Sequence, residues 1–213
     1  MISVLLPSRG RPDSLLETTA GLLALAADPG KVEILIAADP DDGPTLALAR
    51  EGRLPEQARM LVAAERLGYK RINEYYNALD EAAAGEWCFL WNDDATMLTR
   101  GWDAVIEAEE PAVLCPHADY APEINTFPVW PSAWTRHLGH VSLDQSVDLW
   151  LHDVAVAAGA ERRIPVSVHH EHRCGDATAA ERDAVADVIS YHAPEMYEAR
   201  ARDVARLREL LTA

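Results

Sequence analysis

The chain has 213 residues, 49% of them hydrophobic and 25% charged, which is the size and composition of one globular domain and excludes a disordered segment. Asp and Glu number 35 against 19 Lys and Arg, and the formal net charge of −16 disfavours binding to nucleic acid or to an anionic membrane. No apolar run has the length of a transmembrane helix, and the three cysteines form no CxxC pair, which favours a reducing, cytoplasmic setting over a disulfide scaffold.

The first hundred residues predict strands that alternate with helices. The N-terminal apolar run is better interpreted as a buried strand than as a signal peptide, because it lacks a basic segment and a cleavage site. The predicted strands are residues 2–6, 32–38, 60–63 and 87–91. The predicted helices are residues 45–51, residues 70–84 with Gly85 as C-cap, and a first helix that begins with Asp13 or Ser14 as N-cap. Continuous apolar strands between helices indicate a parallel sheet that is covered on both faces.

Three polar loops each follow one of these strands. Their sequences are PSRGRP at 7–12, DPDDG at 39–43 and NDDA at 92–95. Ligands of such sheets bind at the carboxyl ends of the strands. We therefore expect the three loops to meet at one edge of the sheet.

The second half of the chain is less regular. It predicts strands at 112–116 and 164–168, the later one ending in the histidine-rich segment HHEH. It also predicts helices at 131–138, 144–158, 179–191 and 194–211. No internal repeat or low-complexity linker divides the chain, so a single α/β domain is expected.

Taken together, these segments resemble the family-two glycosyltransferases and their GT-A relatives. The resemblance rests on ISVLLPSRGRP, EILIAADPDD and NEYYNALDEAAAGEWCFLWNDDA, and more loosely on LDQSVDLWLHDVAVAAG and VHHEH. It implies a Rossmann-like mixed sheet flanked by helices, with a donor half at 1–100 and an acceptor half at 101–213. It also implies sugar transfer from a nucleotide-diphosphate sugar, by default a UDP-sugar, to a hydroxyl of a glycan, a protein or another acceptor.

The acidic motif of that family, Asp-x-Asp, appears here as Asn92-Asp93-Asp94. The resemblance implies that Asp94 is a direct ligand of Mn²⁺ or Mg²⁺, and that Asp93 faces hydroxyls of the ribose or of the sugar. Such a cation stabilises the leaving diphosphate as a Lewis acid. In a chain with so much negative charge, it would also neutralise the site locally.

A late histidine is the further metal ligand that the resemblance implies. His170 and His172 share a face of an extended strand, and His170 is preferred. Two alternatives remain. The histidine pair and Cys174 could form a structural zinc site, or these histidines, His169 among them, could be ordinary surface residues.

The candidate donor-binding residues lie in the first loop, at the end of the second strand, near the start of the helix at 70–84 and in the acidic motif. They are Pro7, Arg9, Arg11, Asp39, Arg71, Asn73 and Asp93. For the arginines the alternative is a role on the solvated surface, and for Asp39 it is ordinary turn chemistry, since DPDDG is a good turn sequence.

Asp148 resembles the residue that deprotonates the acceptor hydroxyl in inverting relatives, although Val147 stands where these carry Glu. Asp153 and Asp144 are alternatives for this general base. Three tryptophans, Trp130, Trp134 and Trp150, suggest an aromatic acceptor side, against the usual role of tryptophan in cores.

Three other interpretations stay open. The chain could be a degenerate GT-A module that binds without catalysis, or a sugar nucleotidyltransferase, although PSRGRP is poor in glycine for the latter. The acceptor could also be modified DNA, which the charge of −16 disfavours.

Overall fold

The computed structural model describes residues 1–171, 176–186 and 190–212, apart from some side chains between 179 and 190. The strands are β1 (Ile2–Pro7), β2 (Val32–Ala38), β3 (Ala58–Val62), β4 (Trp87–Leu90), β5 (Ala95–Met97), β6 (Val113–Ala118), β7 (Val129–Pro131) and β8 (Glu161–His170). The helices are α1 (Pro12–Leu25), α2 (Gly43–Arg50), α3 (Ile72–Ala82), α4 (Trp102–Glu107), α5 (Ser132–Leu138), α6 (Val147–Ala158), α7 (Ala177–Ala186) and α8 (Pro194–Thr212).

The eight strands found among the described residues form one mixed sheet, in the order β3-β2-β1-β4-β7-β6-β8-β5. The strands β1 to β4 are mutually parallel, with β1 between β2 and β4. Antiparallel pairing of β7 with β4 and with β6 joins this parallel half to the second half. The mixed α/β sheet flanked by helices that was predicted from the sequence is confirmed.

Of the parallel half, the strands β1, β2 and β4 are buried on both faces, whereas the edge strand β3 is partly exposed. Along β1, Ile2, Val4 and Leu6 belong to the cluster that packs against α1, whereas Leu5 belongs to the cluster that includes α3, α6 and α8. Alternate side chains of a strand point to opposite faces, so one continuous apolar run serves both layers. This packing fixes the carboxyl ends of β1, β2 and β4 at one edge of the sheet.

Two of the predicted helix ends were wrong, and several short elements were not predicted. Helix α1 begins at Pro12 with Arg11 as N-cap, rather than with Asp13 or Ser14, because proline has a helical φ and lacks the N–H that the first turn leaves unbonded. Helix α3 ends with Ala83, not Gly85, as C-cap. The elements β5, α4 and β7, each of three to six residues, were not predicted.

The three tryptophans proposed for the acceptor side lie in the core instead. Trp130 and Trp150 are at most 1% exposed, and Trp134 is 6% exposed. The indole N–H of Trp130 donates to Asp80, and that of Trp150 donates to Asp203. These contacts assign the three rings to packing, where large aromatic side chains contribute most.

Within the described parts of the chain, no helix has the length and apolar character needed to cross a membrane.

Candidate active site

The loops that follow β1, β2 and β4 border one cleft of about 240 Å³. The predicted site residues that line this cleft are Pro7, Arg9, Arg11, Asp39, Asp93, Asp94, Asp148 and His170. The first six come from the parallel half, and the last two come from α6 and β8. Both halves of the chain therefore contribute to the lining of the same cleft.

Asp94 and His170 are brought together by strand pairing. Asp94 directly precedes β5, and antiparallel pairing places Ala95 opposite His170. The backbone N–H of Glu171 also donates to the carbonyl of Asp94, at 3.0 Å. As a result Asp94 Oδ1 lies 3.1 Å from His170 Nε2, and less than a tenth of each side chain is exposed.

The geometry of this pair fits a small divalent cation. In an octahedral site with bonds of about 2.1 Å, two neighbouring ligand atoms are roughly 3.0 Å apart. One carboxylate oxygen and one imidazole nitrogen are donors that Mn²⁺ accepts. Among residues 1–171, 176–186 and 190–212, no group of three or more His, Cys, Asp or Glu side chains could hold a metal, so these described residues contribute a pair of candidate ligands here.

The other histidines do not add to this pair within the described structure. His169 faces away from Asp94, is about half exposed, and has its ring nitrogen bonded to Asp119. His172 and Cys174, named above as alternatives, lie outside the described residues.

Asp93 and Arg11 form a buried connection between the first loop and the acidic motif. Asp93 accepts hydrogen bonds from Ser8 Oγ at 2.7 Å and from Arg11 at 3.0 Å. Burial raises the pKa of Asp93, and the hydrogen bonds from Ser8 and Arg11 act in the opposite direction. Arg11 also contacts Asp94 at 3.5 Å and makes a two-pronged bond to Asp176, at 2.7 and 3.0 Å.

Asp39, which follows β2, is a second buried acceptor in the lining of the cleft. It is 2% exposed and accepts hydrogen bonds from Arg9 at 2.8 Å, from the backbone N–H of Leu67 at 3.1 Å and from the hydroxyl of Tyr75. Arg9 is shared with Asp41, whose carboxylate it contacts at 2.7 Å. Both oxygens of Asp39 are thus already used within the protein.

Asp148 lies in the first turn of α6 and lines the cleft. Its carboxylate accepts a hydrogen bond from the backbone N–H of Leu149 at 2.9 Å. Burial raises the pKa of Asp148, against the opposing effects of that hydrogen bond and of the nearby His170 and His152. A carboxylate with a raised pKa is better suited to take a proton near neutral pH than an ordinary one.

Three predicted residues do not reach the cleft. Arg71 is 42% exposed and pairs with Glu74 and Glu65, and Asn73 donates to the carbonyl of Ser142. Asp153 is 47% exposed and accepts a hydrogen bond from Tyr191 at 2.6 Å. Five residues after Asp148, it is turned by roughly 140° around the helix axis, so the two carboxylates face different directions.

Several residues of the cleft were missed by the sequence analysis. The turn and helix that carry Arg71 and Asn73 contribute Gly68, Tyr69, Ile72, Tyr75 and Tyr76 instead, with the last three on one face of α3. Tyr120, from the second half of the chain, also lines the cleft, and the centroid of its ring lies 5.5 Å from that of His170 in an edge-on arrangement. The spacing of Ile72, Tyr75 and Tyr76 marked an inward face, but it did not show that this face ends at a cleft.

Helix α7 forms a further wall that the sequence did not indicate. Thr178 donates to the carbonyl of Arg9 at 2.9 Å, and Glu181 accepts from the backbone N–H of Tyr69 at 3.0 Å and from Arg66 at 2.7 Å. Arg182 lines the cleft beside them.

No family model matches this chain, and no curated protein matches it. Solved structures match at high probability but at 12–14% sequence identity. TarS 1-349 of S. aureus in complex with UDP-GlcNAc has a TM-score of 0.64 at 14% identity, over 95% of this chain and 66% of that chain. The mannosyltransferase PcManGT of Pyrobaculum calidifontis in complex with GDP-Man and Mn²⁺ has a TM-score of 0.63 at 14% identity, over 100% of this chain and 75% of that chain.

In another structure of S. aureus TarS, the match covers 79% of this chain and only 36% of that chain, with a TM-score of 0.62. This chain thus spans about a third of the length of that protein. At such low identity the likeness bears on the fold alone, and it confirms the fold predicted from the sequence: the chain has the GT-A fold.

Proposed function

We propose that this chain is a metal-dependent glycosyltransferase that moves a sugar from a nucleotide-diphosphate sugar to an acceptor hydroxyl. The observation that carries the proposal is the pair of Asp94 Oδ1 and His170 Nε2, 3.1 Å apart in a cleft that Asp148 also lines. Neighbours of the same fold were solved with UDP-GlcNAc and with GDP-Man and Mn²⁺, which supports a nucleotide-sugar donor. A UDP-sugar is our default.

Asp94 and His170 would hold the cation, Mn²⁺ or Mg²⁺, which supplies Lewis-acid stabilisation to the diphosphate as it leaves. Asp148 accepts the proton of the acceptor hydroxyl while the acceptor oxygen bonds to the anomeric carbon and the bond from that carbon to the diphosphate oxygen breaks. Attack from the side opposite the diphosphate inverts the anomeric centre. Asp93 and Asp39 act by holding Arg11 and Arg9, and hence the first loop, in place.

The proposal is tested by thermal unfolding with a panel of nucleoside diphosphates, with and without Mn²⁺. A nucleotide at about 100 times its Kd adds about 2.7 kcal/mol to the free energy of unfolding. For a chain of this size, each 1 kcal/mol raises Tm by about 2–4 °C. We expect one nucleotide to raise Tm by roughly 5–10 °C, only with Mn²⁺, and the effect to be absent in Asp94→Ala.

Asp13→Ala is the matched control, because Asp13 is an exposed aspartate of the neighbouring helix α1. It should keep the full shift. Stabilisation that survives Asp94→Ala would contradict the metal site. Slow hydrolysis of the nucleotide sugar in the presence of Mn²⁺ is a second measurement. If a nucleotide stabilises the chain but the nucleotide sugar releases no free sugar, the alternative of a binding module without catalysis is favoured.

A further inference from the structure

A large aromatic side chain is left exposed at the cleft. Of the large hydrophobic side chains that are exposed in the described part of the chain, only Tyr120 lines the cleft. It is 44% exposed, whereas Tyr75 and Tyr76, which also line the cleft, are at most 7% exposed. A ligand that covers such a ring gains the free energy of removing apolar surface from water. The ring therefore marks a place where a ligand with an apolar face would bind.

The loop between β6 and β7 holds Tyr120 in place on both sides. Before it, the carboxylate of Asp119 accepts a hydrogen bond from the backbone N–H of His170 at 2.9 Å. After it, Ala121 has φ of +48°, and Thr126 Oγ1 donates to the carbonyl of Tyr120 at 3.4 Å. A left-handed alanine is a strained conformation of the kind that is concentrated at ligand-binding sites. A ring that is already fixed loses little conformational freedom when a ligand packs on it.

The side chains beside this ring suit an uncharged sugar. Residues 120–148 are all described, and their side chains in the cleft lining offer hydroxyl, amide, aliphatic and carboxylate groups but no cation: Tyr120, Thr126, Gln145, Val147 and Asp148. With the net charge of −16, this lining disfavours an acceptor that carries phosphate or carboxylate at the point of contact. A pyranose ring has C–H groups on a face, which pack on an aromatic ring, and hydroxyls at its rim, which suit the amide and hydroxyl groups.

His170 lies next to both Tyr120 and the proposed base. The ring centroids of Tyr120 and His170 are 5.5 Å apart. His170 is also close enough to Asp148 for its positive charge to act on that carboxylate. A sugar that packs on Tyr120 therefore lies near the candidate metal pair and near the group that would take its proton.

We propose that Tyr120 is the platform for the acceptor, and that the acceptor is an uncharged pyranose sugar whose C–H face packs on this ring. This inference rests on the function proposed above, and it selects a glycan from the acceptor classes that this function leaves open. Gln145 and Thr126 then bind hydroxyls of the same sugar, and Asp148 takes the proton of the hydroxyl that attacks the donor.

Saturation-transfer NMR with the methyl pyranosides of glucose, galactose and mannose tests the inference, in the presence of Mg²⁺ and the nucleoside diphosphate that the thermal panel selects. We expect at least one pyranoside to show contact through its ring C–H protons. Tyr120→Phe should keep this binding, and Tyr120→Ala should weaken it about tenfold. Tyr197→Ala is the matched control and should have no effect, because Tyr197 is 52% exposed but does not line the cleft.

Two further probes separate the ring face from the hydroxyls and from charge. Xylitol offers hydroxyls without a ring, and methyl glucuronide offers the ring with a carboxylate, so both should bind more weakly than the best methyl pyranoside. Steady-state turnover of the nucleotide sugar is the second measurement. Tyr120→Ala should raise the KM of the pyranoside about tenfold and leave hydrolysis of the donor without acceptor unchanged.

Four results would overturn the inference: no contact from any pyranoside, equal or stronger binding of xylitol or methyl glucuronide, binding that survives Tyr120→Ala, and an equal loss in Tyr120→Phe. Slower donor hydrolysis in Tyr120→Ala would assign the ring to the donor sugar, which also overturns it. In these cases, metal-dependent binding of a nucleoside diphosphate by the unsubstituted chain would still support the proposed function. Failure of that chain to bind any nucleoside diphosphate would overturn both.

Discussion

Asp148 combines a site in the cleft with an unfavourable environment for its charge. Because burial raises its pKa, the folded chain binds this proton more tightly than the unfolded chain does. Its effect on stability is therefore most favourable below the unfolded pKa, near 3.9, and is lost as the pH rises through the folded pKa.

We predict that Asp148→Asn lowers the rate of sugar transfer by about 10²–10⁴-fold, as expected for loss of a general base.

The same substitution should raise Tm more at pH 7 than near pH 4, because a higher pH favours the charged form of the native aspartate, which burial disfavours. Calorimetric scans at the two pH values measure this difference. Asp153→Asn is the control on the same helix, because Asp153 is exposed and bonded to Tyr191. It should change neither transfer nor the pH dependence of Tm. An Asp148→Asn variant with full activity would remove Asp148 from the reaction.

The positions of individual residues in the cleft were predictable where the residue ends a strand or directly follows one. Asp94 and His170 follow or end apolar strands, and the resemblance named both. Arg71, Asn73 and Asp153 do not line the cleft. Asn73 and Asp153 lie on helices and Arg71 is the N-cap of α3, and along a helix one position turns the side chain by about 100°. Their direction depends on which helical face packs inward, and the polar sequence around them left that undecided.

At the scale of elements, the docking of α7 depends on a glycine. Gly68 has φ of +67°, and a Cβ added there would collide with the carboxylate of Glu181 that accepts from Tyr69. We predict that Gly68→Ala displaces Glu181 and weakens nucleoside diphosphate binding. It should also lose roughly 1–3 kcal/mol of stability, because φ of +67° with ψ of −175° is a backbone conformation that essentially only glycine adopts. Titration of the nucleotide and denaturant unfolding measure the two effects.

Gly52→Ala is the control that separates the loss of stability from the loss of nucleotide binding. Gly52 has φ of +63°, and a Cβ there would meet nothing within 4 Å. This variant should lose roughly 1–2 kcal/mol of stability because of its positive φ, and it should keep the nucleotide affinity of the unsubstituted chain. Equal affinities in the two variants would show that the contact between α7 and the Gly68 turn does not affect donor binding.

The longer elements were predictable because their apolar residues recur over many positions, as in β2 and α8. The elements β5, α4 and β7 have too few residues to show a period, and β5 is nevertheless the strand that aligns His170 with Asp94. The contact of α7 with the first loop joins residues about 165 positions apart. No local pattern encodes a contact of that kind.

At the scale of the whole molecule, the charge of −16 attracts cations and repels anions. Two consequences follow for the proposed reaction. The cation is favoured to arrive before the nucleotide, since it lowers the repulsion that the diphosphate meets at the carboxylates of the cleft. Duplex DNA is disfavoured as an acceptor, because the negatively charged chain repels its phosphates.

We predict that Mn²⁺ affinity falls several-fold as ionic strength rises from 0.01 to 0.1 M, because the screening length shortens from about 30 to about 10 Å. Electron paramagnetic resonance of free Mn²⁺ measures the binding, and subtraction of the Asp94→Ala titration isolates the site from diffuse association with surface carboxylates. Uridine, which is uncharged, should bind with the same affinity at both ionic strengths. A Mn²⁺ affinity that does not change with salt would mean that the local ligands Asp94 and His170, and not the field of the whole chain, determine cation capture.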